Sequence, residues 1–196
     1  MLEWRVCSIR FRISLLFPAL VTALLLWQPD GLAVSCLLAS FIHEGGHLVA
    51  MLALGVPPRH CTLGAFGVRI ELDNKLIGYG RNLLISLAGP LANVVAAGLL
   101  MLERPTSAAV HLALALLNLL PAAALDGGEV LRCGLCLLGL ESLVGWVLRL
   151  SSALVLLPLA AISAWMFMRG ENPTLLIVTG YLTALVFFSD KNEKNS

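Results

Sequence analysis

The stretch from Gly31 to Leu54 contains no Lys, Arg or Asp, yet it carries His43, Glu44 and His47 within five consecutive positions. A run this long and apolar fits a helix across a bilayer, which needs about 20 residues. In hydrocarbon the backbone must satisfy its own hydrogen bonds, so such a segment is helical. Ionisable side chains inside a span are costly and mark function by default. Composition extends the argument to the whole chain. Of 196 residues, 59% are hydrophobic and 13% charged, against about 45–50% and about 25% in soluble domains. A soluble domain could not bury that much apolar surface, so the chain reads as a single integral membrane domain over residues 1–196. Disorder, a collagen-like fibre and a disulfide scaffold are excluded. The net charge of +1 argues against a nucleic-acid partner. The five cysteines, Cys7, Cys36, Cys61, Cys133 and Cys136, are odd in number and scattered through apolar segments, which does not suit a disulfide framework.

The pattern predicts an all-α membrane protein of about six transmembrane helices, over roughly 11–27, 31–54, 82–102, 108–123, 143–168 and 173–188. Turn chemistry separates them at Gln28 to Gly31, Gly55 to Pro58, Arg104-Pro105 and Gly170 to Pro173. With both termini in the cytosol, eleven of the thirteen Lys and Arg residues fall on the inner side; only Arg104 and Arg169 fall outside. The first segment shows no small-x-small cleavage site before Gln28 and reads as a span rather than a signal peptide. Between the second and third spans, Val68, Ile70 and Leu72 alternate with Arg69, Glu71 and Asp73, which is strand periodicity. Asp73-Asn74 is a turn signal, and Leu76 to Tyr79 is expected to return as a second strand, giving a small hairpin.

His43 and His47 are four apart and share one helix face, so their imidazoles can bind one metal ion. Glu44 stands beside the first ligand, within reach of a water at the metal, as a general base must be. Catalytic zinc usually takes three protein ligands. His60, His111 and Glu71 are candidates; the extended metzincin pattern fails, because Ala50 and Ala53 stand where Gly and His would be needed. Asp126 fits better: it follows the fourth span at the cytoplasmic end, in Leu125-Asp126-Gly127-Gly128, whereas Asp30, Asp73 and Asp190 lie in loops or the tail. Asp-Gly-Gly is also ordinary turn chemistry. Cys133-Gly134-Leu135-Cys136 lacks a second pair and reads as packing in a short helix, and His111 as a helix contact.

Three motifs, in order, resemble the site-2 protease family of intramembrane zinc metalloproteases. His43-Glu44-Gly45-Gly46-His47 matches its HExxH. Ala88-Gly89-Pro90-Leu91-Ala92-Asn93 resembles its GPxxN segment, and Asn118 to Gly128 its NxxPxxxxDG segment. The resemblance covers a catalytic core of about 31–128. It implies one zinc per chain held by His43, His47 and Asp126, with Glu44 as the catalytic base. It implies that Asn93 and Asn118 bind or orient the substrate backbone. It also implies that the hairpin at 61–79 is a membrane-associated β-loop that aligns substrate. Gly45 and Ala124 depart from the family's usual bulky residue and proline without removing a ligand. Six spans resemble the branch of the sporulation protease that releases a pro-sigma factor. No CBS or PDZ domain is expected in a chain that ends at Ser196. The implied partners are the lipid bilayer and a membrane-tethered protein substrate, in a bacterial cell membrane; a homo-oligomer is compatible with the sequence. The competing classes are a transporter or channel that uses the same polar residues as a pathway, and an inactive scaffold that binds client helices. No internal inverted repeat supports a transporter, and the intact His43, Glu44, His47 and Asp126 oppose a scaffold.

Overall fold

The computed structural model describes residues 2–6, 9–13, 31–58, 60–64, 67–71, 77–170 and 174–193. Its elements are strands β1 (Leu2–Val6) and β2 (Ile9–Ile13), helix α1 (Leu32–Ala53), strands β3 (His60–Gly64) and β4 (Gly67–Glu71), then helices α2 (Tyr79–Leu100), α3 (Pro105–Asn118), α4 (Asp126–Leu137), α5 (Val144–Met168) and α6 (Thr174–Glu193). A single 3-10 turn, Glu141–Leu143, leads into α5. The protein is mostly helical. It divides into two compact units, one ending at Leu116 and the other beginning at Leu117.

In the first unit, α1 buries Ala39, His43, His47 and Met51. Their four-residue spacing makes one continuous stripe. Helix α2 buries Ile85, Ser86, Gly89, Pro90, Asn93 and Ala97 in the same way. The two helices meet through small residues. A Cβ added at Gly46 would lie 2.6 Å from the Ala88 carbonyl and 2.8 Å from the Ala92 side chain, and one at Gly89 would enter the His47 ring. Close approach of backbones at small residues is how helices associate where no hydrophobic force separates them from lipid. The outward faces are apolar instead: Val49, Val95 and Leu99 are exposed while Asn93 is fully buried. Polar inside and apolar outside is the arrangement of a protein solvated by lipid. Three runs, Leu32–Ala53, Tyr79–Leu100 and Glu141–Met168, are long and apolar enough to cross a membrane, and Pro105–Asn118 is a shorter apolar helix. These long apolar helices mark an integral membrane protein.

The four strands form one sheet in the order β1-β2-β3-β4. β1 and β2 pair antiparallel, with Trp4 opposite Phe11; β2 and β3 run parallel, with Phe11 opposite Cys61; β3 and β4 pair antiparallel, with Thr62 opposite Arg69. Three sequence expectations change here. The first apolar segment, 11–27, begins in strand β2, and its residues 14–27 lie outside the described residues. The return strand expected at Leu76 to Tyr79 is not formed over Ile77 to Tyr79, and Leu76 lies outside the described residues. Ile77 and Gly78 carry no strand, Tyr79 opens α2, and β4 pairs upstream with β3 instead; the turn residues 73–74 lie outside the described residues. The fourth segment stops at Asn118 rather than 123. Pro121 has no N–H and disfavours helical backbone at Leu120, so the chain turns there.

In the second unit, that turn runs from Leu119 to Leu125, with Ala122 N–H bonded to the Leu120 carbonyl and Leu125 N–H to that of Ala122. Ala123 N–H donates to Ser152 Oγ of α5 at 2.9 Å. Helix α4 then begins at Asp126, with Gly127 and Gly128 packed so tightly that a Cβ at either would run into the carbonyls of Leu119, Leu120 or Ala122. Cys133 and Cys136 lie on this short helix, and Cys133 Sγ donates to Glu129 Oε1 one turn earlier. At the far end of α5, the Arg169 guanidinium stacks on Trp165 at 3.9 Å from the ring centroid.

Candidate metal centre

His43 and His47 point at one another from successive turns of α1. Their Nε2 atoms are 3.2 Å apart and the rings cross at 85°. Both side chains are buried. Two imidazole nitrogens, each about 2.0–2.1 Å from one tetrahedral ion, stand about 3.3 Å from each other. The pair therefore already has the separation that a shared zinc ion requires. The ring orientation of His47 is fixed from behind: its Nδ1 lies 2.8 Å from the Ile85 carbonyl oxygen. A carbonyl only accepts, so Nδ1 carries the proton and donates, and Nε2 keeps its lone pair for a metal. One feature of α2 permits this contact: Gly89 leaves room for the His47 ring.

Behind His43 the layer continues. Asn93 Nδ2 lies 3.3 Å from His43 Nδ1, and Asn93 Oδ1 lies 2.9 Å from His111 Nδ1. Asn93 is fully buried and His111 almost so. The expectation that Asn93 touches substrate thus meets an amide whose two ends already face histidines. His111, read from sequence as a helix contact, is the far end of this polar layer. It shares the buried face of α3 with Ala108 and Ala115, and that alanine-histidine-alanine spacing is the sequence signal for its inward direction.

The first unit therefore brings His43, His47 and Asn93 together. Glu44 follows His43 on α1 and is half-buried. In the second unit, Asp126 is the first residue of α4 and Asn118 the last of α3, both half-buried. His60 and Glu71 stand opposite each other as the outermost pair of β3 and β4.

No family model matches the chain. A protein of Synechocystis sp. named "Putative zinc metalloprotease sll0528" is 34% identical over 127 residues, which is 58% of this chain and 31% of that protein. The chain thus spans about a third of the length of the curated relative it matches. Among solved structures, a site-2 protease from Methanocaldococcus jannaschii superposes with a TM-score of 0.67, at 19% identity, over 98% of this chain and 94% of that one. At that identity the likeness concerns the fold, and it extends over nearly the whole of both chains. In its motifs, its curated relative and its fold, this chain resembles the site-2 protease family of zinc metalloproteases.

Proposed function

We propose that the protein is an intramembrane zinc metalloendopeptidase that cleaves a membrane-embedded or membrane-tethered protein. The observation that carries this reading is the pair of buried imidazoles with facing Nε2 atoms 3.2 Å apart, inside a helix long enough to cross the membrane. By the resemblance of its motifs, one zinc ion per chain would be held by His43, His47 and Asp126. Two neutral imidazoles and one carboxylate are a catalytic zinc set, with a position left for substrate or water. When bound, zinc supplies Lewis acidity to the scissile carbonyl and to an attacking water.

The chain's own residues supply the rest. Glu44 takes the proton from the attacking water and delivers it to the leaving amine. It is adjacent to a ligand in sequence but is not one, as the role of a general base that moves a proton requires. Asn118 orients the substrate backbone. A helical substrate hides its carbonyls in hydrogen bonds and must open before cleavage. β4 is an edge strand of the sheet, and pairing of an extended substrate along such an edge would offset part of that cost. In this reading the sheet lies at the membrane surface, the chain crosses six times, and both termini are cytoplasmic.

The test is purified, detergent-solubilised full-length protein. It should contain about one zinc per chain, and the His43→Ala/His47→Ala double variant should contain none. Wild-type protein co-expressed with membrane-tethered candidate substrates should cleave one of them in a zinc-dependent way. Full zinc occupancy in the double variant would overturn the ligand assignment.

A further inference from the structure

The polar layer behind the two imidazoles forms one continuous line: Ile85 carbonyl, His47, His43, Asn93, His111, with successive contacts of 2.8, 3.2, 3.3 and 2.9 Å. Each member belongs to the first unit, on α1, α2 or α3. We propose that His111, acting through Asn93, is a positioning residue that lets His43 take the tautomer in which its Nε2 is a metal ligand. The inference rests on the zinc reading above and adds to it a residue that touches neither metal nor substrate.

The argument is a count of protons. A neutral imidazole carries one N–H and one lone pair. His47 is fixed by the Ile85 carbonyl, which leaves its Nε2 lone pair facing His43. At His43 Nδ1 stands the Asn93 amide. If that amide presents its NH2 group, His43 Nδ1 must accept, the proton of His43 sits on Nε2, and the contact with His47 is an N–H···N hydrogen bond. If the amide presents its oxygen, His43 Nδ1–H donates to it and both Nε2 lone pairs face a common point. Only the second direction allows a shared ion; the structure holds the first, with Asn93 Nδ2 towards His43 and Oδ1 towards His111, so metal binding requires the amide to turn. A half-turn of the amide about its last side-chain bond exchanges the two directions without moving any other heavy atom.

Asn93 cannot choose by itself, because its other end faces His111 Nδ1. Turning the oxygen towards His43 turns the NH2 towards His111, so His111 Nδ1 must then accept. In the opposite direction it must donate. Histidine can do either at one nitrogen, by moving its proton between Nδ1 and Nε2. An apolar residue at 111 can do neither, and a fully buried amide NH2 would then be left without a partner, which is costly. Outer partners that orient a ligating histidine are worth about 10–100-fold in metal affinity. A packing role for His111 predicts something else: affinity should follow stability, whatever hydrogen-bonding group replaces the ring.

The experiment is zinc competition with a chelator on the full-length protein in detergent, repeated with cobalt to read the visible ligand-field bands, alongside thermal unfolding. Four variants are compared: His111→Leu, His111→Asn, Asn93→Leu and Asn93→Asp. Asn at 111 puts an amide where Nδ1 stands and can donate or accept. Asp at 93 offers His43 an acceptor in every orientation. Both Leu variants should bind zinc about 10–100-fold more weakly and change the cobalt bands. His111→Asn and Asn93→Asp should stay within about threefold of the wild type, even though a buried carboxylate lowers the unfolding temperature of the latter. Affinity and stability should thus part company in Asn93→Asp. Wild-type affinity in His111→Leu overturns the proposal, as does weak zinc binding in a folded Asn93→Asp. Should the Leu variants fail to fold, the Asn and Asp variants decide alone. A wild type that binds no zinc overturns the metalloprotease reading itself, a result distinct from all of these.

Discussion

Glu44 and Asp126 are both carboxylates, but the proposed chemistry gives them different work and so different mutant behaviour. Glu44→Gln keeps size and hydrogen-bonding shape while removing the basic group. Zinc content should be unchanged and cleavage should fall by at least about 10²–10⁴-fold, the usual share of general acid–base catalysis. Asp126→Asn weakens a ligand, so zinc content and cleavage should fall together. Measuring both quantities on both variants separates base from ligand, and cleavage at the wild-type rate by Glu44→Gln would refute the mechanism. The glycines give a second contrast at this scale. A Cβ at Gly45 meets nothing within 4 Å, whereas one at Gly89 collides with the His47 ring. Gly45→Ala should leave zinc binding intact and raise stability by up to about 1 kcal/mol, the helix-propensity gain. Gly89→Ala should cost about 1–3 kcal/mol as an overpacked site and should release zinc, because the ring that must move is the proposed ligand. Thermal unfolding and metal analysis of the two variants check this. The HExxH pentapeptide was legible as a residue pattern because its spacing matches the turn of a helix. The Asn93–His111 contact was not, because nothing in local spacing pairs a residue of α2 with one eighteen positions later on α3.

At the scale of elements, the turn before α4 carries a testable dependence on α5. Ala123 N–H is held by Ser152 Oγ, and Ser152 is almost fully buried. Ser152→Ala leaves that N–H without its acceptor, at a cost of about 1–3 kcal/mol. Because the same turn delivers Asp126 to the start of α4, zinc should also bind more weakly in this variant. A control at Ser151, whose hydroxyl bonds only within its own helix, should change neither quantity. Unfolding temperature and chelator competition for Ser151→Ala and Ser152→Ala give the comparison. Helix positions were readable from apolar runs, and Gly78, Pro105 and Pro121 fix where α2 and α3 begin or end. The N-terminal strands carry an equally readable pattern. Leu2, Trp4 and Val6 alternate with Glu3 and Arg5, and Ile9, Phe11 and Ile13 with Arg10 and Arg12, a period of two. The same arginines also carry the charge bias towards a cytoplasmic terminus, so one set of residues holds both signals. The partner of β4 is the upstream strand β3. Leu76 to Tyr79 has strand composition, but Tyr79 continues into a long apolar helix, and the capacity for helix there outweighed four residues of β-propensity.

For the whole molecule, the distribution of Lys and Arg leads to one prediction of topology. A single cysteine at position 193, in a chain otherwise free of cysteine, should resist a membrane-impermeant thiol reagent added outside sealed cells and react once the membrane is opened. Labelling from outside would overturn the cytoplasmic assignment of the C-terminus. What the sequence determined by itself is the medium and the chemistry. In lipid, long apolar runs with few charges fold as helices, because hydrocarbon offers the backbone no other hydrogen-bond partners. Imidazoles four residues apart must share a face because the helix has 3.6 residues per turn. Tertiary structure alone decided how those imidazoles are held. The Ile85 carbonyl that orients His47, the space left by Gly89, and the Asn93–His111 pair behind His43 all come from other helices. Hydrogen bonds between helices depend on crossing distance and rotation, which are set by the packing of small residues along both elements together and are written in no single segment.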